Sequence, residues 1–159
     1  MVKIFAPLAL VLALGCQAEV IMGKVVRVAD GDTITILDAS KTQHKVRLAG
    51  IDAPERAQAY GQKSRESLDE LVAGKTVMVE THKKDRYGRH VGKIVVNGKD
   101  VNIEQIRRGM AWFYRQYEGE LTPNDRQNYD WAEAEAKNLR KGLWTDKSPI
   151  PPWEYRRQK

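Results

Sequence analysis

Apolar and polar positions change period several times along the chain, and each change marks an element. Val25, Val26 and Val28 predict a first strand that stops at Asp30-Gly31, a dipeptide suited to tight hairpin turns. Ile34 and Ile36 then alternate with Thr33 and Thr35, the period of a half-buried strand. Asp32 shares the parity of the two isoleucines, so its carboxylate is expected on the apolar side where the sheet ends. A third strand is expected from His44 to Ala49, with Val46 and Leu48 inward and Arg47 on the opposite parity. Pro54 restricts its own φ and holds Ala53 extended, which limits the movement of Asp52 and Glu55.

Tyr60, Ser64, Leu68, Leu71 and Val72 lie on one face of a predicted helix closed by Gly74. Strands follow over Thr76–Thr81 and His90–Val96, the second closed by Asn97-Gly98. Asn102 and Gln105 resemble a capping box opening a short helix through Ile106, ended at Gly109. A third helix is expected over Asp125–Leu139, with Tyr129, Ala132, Ala136 and Leu139 on one face. Trp112, Phe113, Trp131 and Trp144 read as packing residues rather than stacking platforms.

The order is three strands, helix, two strands, helix, helix, without repeats or a dividing linker. That is the pattern of an α+β domain built on a five-stranded OB-fold β-barrel with three α-helices. The tail, residues 148–159, is basic and proline-containing and is expected to be extended or frayed.

Composition adds two constraints. A formal charge of +6 and a pI near 9.4 favour an acidic partner such as nucleic acid or anionic lipid. The start of the chain is a separate element: a short basic opening, an apolar run from Ile4 to Leu14 too short to span a bilayer, then Gly15-Cys16-Gln17-Ala18. It reads as a secretory signal over residues 1–18, cut after Ala18, with the folded domain expected over 19–147. Cleavage before Cys16 with lipid attachment is the alternative, and the only case in which a membrane is expected. Cys16 is the sole cysteine, so no disulfide can form within the chain. Removing Lys3 with the signal leaves +5, so the basicity belongs to the domain.

The candidate chemistry lies in two stretches, Asp30–Glu55 and Asp85–Arg89. Hard carboxylate oxygens beside isolated arginines suit a metal ion and a phosphodiester. The histidines show no metal-ligand spacing, and His82 and His90 read as strand-end residues. H-E-x-x-H and P-loop motifs are absent. Asp32 has an alternative role as a turn cap, and Glu55 as a helix N-terminal carboxylate.

V-x-D-G-D-T, R-L-x-G-I-D-A-P-E, D-R-Y-G-R, R-x-G-M-A (Arg107–Ala111) and G-L-W (Gly142–Trp144) occur in this order over residues 24–145. In that set and order the chain resembles the staphylococcal nuclease family. The resemblance implies a single Ca²⁺ held by Asp32, Asp52 and the Ala53 carbonyl. It implies Glu55 as the residue that positions or deprotonates the attacking water, with Arg47 and Arg89 as the phosphate-binding pair. Lys83, Lys84, Arg86, Tyr87, Arg115 and Tyr117 would line the substrate groove. Arg115 stands where the best-known family member has tyrosine, with Tyr114 one step away. The expected activity is a secreted or periplasmic endonuclease acting on single- and double-stranded DNA and on RNA with little sequence preference, leaving 3′-phosphate ends. A monomer with no stable protein partner is expected. A non-catalytic nucleic-acid-binding OB module, or a lipid-tethered protein binding anionic polymers, are the competing readings.

Overall fold

The computed structural model describes residues 18–158. The expected signal segment, Cys16 included, lies outside them apart from Ala18. Along the chain run β1 (Glu19–Asp30), β2 (Thr33–Leu37), β3 (Gln43–Leu48), β4 (Ile51–Asp52), α1 (Gly61–Val72), β5 (Thr76–Lys84) and β6 (His90–Val96). Then come β7 (Lys99–Asp100), α2 (Val101–Arg107), β8 (Trp112–Phe113), α3 (Pro123–Asn138) and α4 (Pro152–Arg157). Short 3₁₀ turns, Arg115–Glu120 and Gly142–Thr145, flank α3.

The strands pair in the order β3-β2-β1-β5-β6-β7, and β3 also pairs with β6, which closes the sheet into a five-stranded barrel. All pairings in this sheet are antiparallel except the closing one, where Val46, Arg47 and Leu48 run parallel to His90, Val91 and Gly92. The alternation read for β2 and β3 places Ile34, Ile36, Val46 and Leu48 in a core shared with Val77, Val79 and Ile94. β1 begins six residues before the valines that announced it, because Glu19–Lys24 is paired along β5 although Val20 and Met22 face solvent. β4 and β8 were too short for periodicity to register. They form a second, two-stranded ribbon, with Asp52 opposite Trp112.

Three sequence expectations need correction. Asn102 and Gln105 are not a capping box: α2 is capped by Asp100, whose carboxylate accepts from the Ile103 N–H at 3.1 Å. The Asn97-Gly98 turn, with φ of 50° and 75°, brings β7 straight onto the helix and leaves Asp100 at the cap. Asn102 is instead fully buried, accepting from the Ile94 N–H and donating to the carbonyls of Ala49 and Gly92. Trp131 and Leu139 are exposed; Trp131 faces away from the buried stripe of α3, and Leu139 lies just past its end. Over Pro152–Arg157 the tail is helical, not extended or frayed. Pro152 at the first helical position, Glu154 in the first turn and Arg156 and Arg157 in the last form a fourth helix.

Two glycines explain why R-x-G-M-A and G-L-W occur together. Gly109 and Gly142 both have positive φ and meet backbone to backbone: a Cβ on Gly142 would lie 2.2 Å from the Gly109 oxygen. The Leu143 N–H donates to that oxygen at 2.9 Å, pinning the segment after α3 to the end of α2.

Replacing Asn102 by alanine takes the amide partner from the Ile94 N–H and the Ala49 carbonyl in the core, while the Gly92 carbonyl keeps the Ala49 N–H. At about 1–3 kcal/mol for a buried group left unsatisfied, urea unfolding should show a loss of unfolding free energy of that order and a lower midpoint; wild-type stability would refute the bridging role.

Candidate active site

The β1–β2 turn carries Asp30, Gly31 and Asp32 to one rim of the barrel. The close packing there demands glycine, since a Cβ on Gly31 would sit 1.8 Å from the Ser64 Oγ of α1 and 2.8 Å from the Ala53 Cβ. From below, the Gln105 amide donates to the carbonyls of Gly31 and Ser64 and accepts from Ser67. This buried glutamine therefore joins the acidic turn to α1 and α2. Thus oriented, Asp32 is 6% exposed, and its Oδ2 accepts from the Ala53 N–H at 2.7 Å. The turn and the Asp52–Glu55 loop become one rigid unit.

Arg47 lies beside Val91 across the parallel closure, and Arg89 immediately precedes β6, so barrel closure brings both arginines to the same rim. The Arg47 guanidinium donates to the Leu48 carbonyl through Nη1 at 2.8 Å. Its Nη2 lies 3.4 Å from an Asp32 oxygen and 3.2 Å from an Asp52 oxygen. Arg89 is set by Asp85. One oxygen of that carboxylate accepts from the N–H groups of Tyr87 and Arg89, and the other from Arg89 Nε at 2.7 Å. The D-R-Y-G-R run is thus a loop folded around its own first residue.

These elements enclose a cleft of about 700 Å³ lined by Asp32, Arg47, Asp52, Ala53, Glu55 and Arg89 among others. All six residues expected to carry metal and chemistry face one cavity. Of the expected groove residues, Lys83, Arg86, Tyr87 and Tyr117 line it as well. Lys83 pairs with Glu120 at 2.6 Å, and Arg86 and Arg89 lie over the exposed Tyr87 ring. Lys84, one residue further along β5, does not line the cleft, and Arg115 points elsewhere. Arg115 pairs with Asp130 and with the buried Glu133 and covers the Phe113 ring, a structural role within the α3 packing. Tyr114 lines the cleft in its place, edge-on to Tyr117 and stacked on Trp153 of α4 at 5.0 Å.

The electrostatics are those of crowded acids. Burial and the neighbouring Asp32 charge push the Asp30 carboxyl up to about 7. Burial acts on Asp32 in the same direction, but the Arg47 charge and hydrogen bonds from Ala53 and Thr33 outweigh it and hold its carboxyl below the ordinary value. Asp52 is raised, burial outweighing its arginine bonds. Burial opposes the charge on Arg47, yet Asp32 and Asp52 raise its pKa above the usual guanidinium range. Hard oxygens from two carboxylates, with a third acid nearby, form a donor set suited to Ca²⁺. Among the described residues no cluster of three or more His, Cys, Asp or Glu side chains stands ready as a metal cage.

Arg156 was missed. It reaches into the cleft from α4, with Nη2 2.8 Å from Asp52 Oδ2 and Nη1 2.8 Å from Glu55 Oε1. The Pro-Pro-Trp-Glu-Tyr-Arg-Arg pattern is a legible short helix; nothing local in it says where the helix docks.

Residues 45–146 match the model of the family described as staphylococcal nuclease homologue. An uncharacterized endonuclease of Escherichia coli O157:H7 is 44% identical over 140 residues, 87% of each chain. A micrococcal nuclease of Shigella flexneri is 40% identical over 144 residues, 85% of this chain and 80% of that protein. A staphylococcal-like nuclease of Arabidopsis thaliana is 40% identical over 117 residues, 72% of this chain but 34% of the longer plant protein.

Because Arg115 serves packing, Arg115→Ala should lower stability by about 1–3 kcal/mol, the range for a hydrogen bond to a buried charge. It should leave affinity for a single-stranded oligonucleotide unchanged. Weakened binding with wild-type stability would return Arg115 to the groove.

Proposed function

The chain belongs to the staphylococcal nuclease family and is a nuclease, and from that premise we propose a Ca²⁺-dependent endonuclease that cuts DNA and RNA with little sequence preference. The observation that carries this reading is the single cleft shared by Asp32, Asp52, Glu55, Arg47 and Arg89. Asp32, Asp52 and the Ala53 carbonyl would hold the metal, with Asp30 behind them. Bound there, Ca²⁺ supplies positive charge beside the phosphoryl oxygens. So sparse a protein shell places its affinity in the weaker calcium range, roughly micromolar to millimolar.

The protein's own groups do the rest. Arg47 and Arg89 flank the phosphate, and their planar guanidinium groups bind two oxygens at a time. As the phosphorus becomes five-coordinate its oxygens gain charge, and donors already in place stabilise that state more than the ground state. Glu55 holds a water in line with phosphorus and accepts its proton. The water oxygen bonds to phosphorus, the bond to the 5′ oxygen breaks, the departing oxygen, hydrogen-bonded by Arg89, takes a proton from solvent water, Glu55 returns its proton to solvent, and a 3′-phosphate remains. Tyr87, Tyr114 and Tyr117 offer rings to sugars and bases, and Lys83 and Arg86 offer charge to flanking phosphates. Rings bind best where bases are unstacked, which favours unpaired strands.

Met1–Ala18 supports export to the periplasm or medium, and the mass of the mature N-terminus separates a form cut after Ala18 from one lipidated at Cys16.

Single-stranded DNA incubated with the protein and Ca²⁺ should yield 3′-phosphate ends, and EGTA should stop the reaction. Full activity in chelator would remove the metal from the mechanism. Glu55→Gln and Arg89→Lys should each lower kcat by about 10²–10³-fold, the loss typical of a charge-stabilising group, with unfolding midpoints unchanged. Wild-type turnover in either variant would excuse that residue.

A further inference from the structure

The segment after the last family motif is not a passive tail. Four hydrogen bonds tie it to the short loop that carries Glu55. Gln58 donates through Nε2 to the Ile150 carbonyl at 2.6 Å, while its Oε1 accepts from the Glu55 N–H at 3.0 Å. The Tyr155 hydroxyl donates to the Ala57 carbonyl at 3.2 Å. Tyr60, at the entrance to α1 with φ of 66°, shares a hydrogen bond with Thr145 at 2.6 Å. Arg156 completes the set, bridging the Glu55 and Asp52 carboxylates through one guanidinium.

α4 is itself held from its other side. Trp153 stacks flat on Tyr114 and meets Trp112 edge-on, and Trp112 packs on Trp144 of the G-L-W motif. The helix is therefore anchored to the β4–β8 ribbon, the element that also carries Asp52. A carboxylate on a loop, free to choose among rotamers, is a poor holder of an in-line water. A carboxylate gripped at its oxygen by an anchored arginine, and at its backbone by Gln58, keeps one position.

We propose that Arg156, delivered by the C-terminal segment 148–157, is a positioning residue for Glu55, so that this segment is a working part of the active site. The proposal rests on the role given to Glu55 above. Arg156 acts through Glu55 and leaves the grip on phosphate to Arg47 and Arg89.

The test uses the full mature chain. With Ca²⁺ and single-stranded DNA, Arg156→Ala should lower kcat by about 10–100-fold, the scale of misplacing a reacting group by an ångström. KM should stay within about two-fold, since the ground-state grip on phosphate is untouched, and Arg156→Lys should restore part of kcat. Independently of turnover, amide hydrogen exchange of the metal-free protein should quicken over residues 55–61 in Arg156→Ala. Unchanged or faster turnover in Arg156→Ala would overturn the proposal and make the guanidinium a mere occupant of the cation's place. A raised KM at constant kcat would overturn it in favour of direct substrate contact, and unchanged exchange over residues 55–61 would also count against it. If the unmodified chain cut no nucleic acid, the endonuclease reading would fall, while the exchange comparison would still decide whether the segment holds the loop.

Discussion

Packing three carboxylates against the rim of an apolar barrel is costly, and Arg47 is what makes it tolerable. A lone ionised acid in such a place would take up a proton or unfold its surroundings. Asp32 avoids this because one guanidinium serves it and Asp52 together, while the Ala53 N–H and Thr33 hydroxyl satisfy other lone pairs. Asp30, which lacks a comparable share of that charge, shows the consequence in its raised pKa.

That arrangement depends on the barrel closing as it does. β3 lies parallel to β6, so Arg47 and the residues just ahead of His90 arrive side by side. Beneath them, the buried amides of Asn102 and Gln105 join the sheet, the acidic turn and two helices through their own hydrogen bonds. Polar residues at such positions contribute position as much as stability, because each donor and acceptor is met by one particular partner.

Much of this was legible in the sequence. Alternation located β2, β3 and β6 to within a residue, since their apolar side chains enter the barrel core with period two. β2 is nevertheless not the half-buried strand expected: Thr33 and Thr35 on its other face are buried as well. The motif residues were legible because special chemistry restricts their neighbours: Gly31 must lack a Cβ, and Pro54 must stiffen the loop. The errors came where partners distant in sequence decide the outcome. Asn102 and Gln105 have the spacing of a cap but the burial of a bridge, and only the tertiary fold distinguishes the two. Lys84 and Arg115 were groove residues by resemblance to the family, yet acids on α3 hold Arg115 away. Arg156 is the reverse case, an ordinary surface arginine by pattern whose partners lie about a hundred positions earlier.

The parallel seam has a kinetic corollary. Strands remote in sequence must find each other before their contacts can reward the lost chain freedom, and topologies of this kind acquire structure late. Every group that handles phosphate straddles that seam or lies beyond it. A nascent or half-collapsed chain consequently carries the acids and the arginines but not their juxtaposition. A polypeptide with these groups dispersed holds no assembled site, so the capacity to cut polynucleotides is expected only once the closure of β3 on β6 has formed.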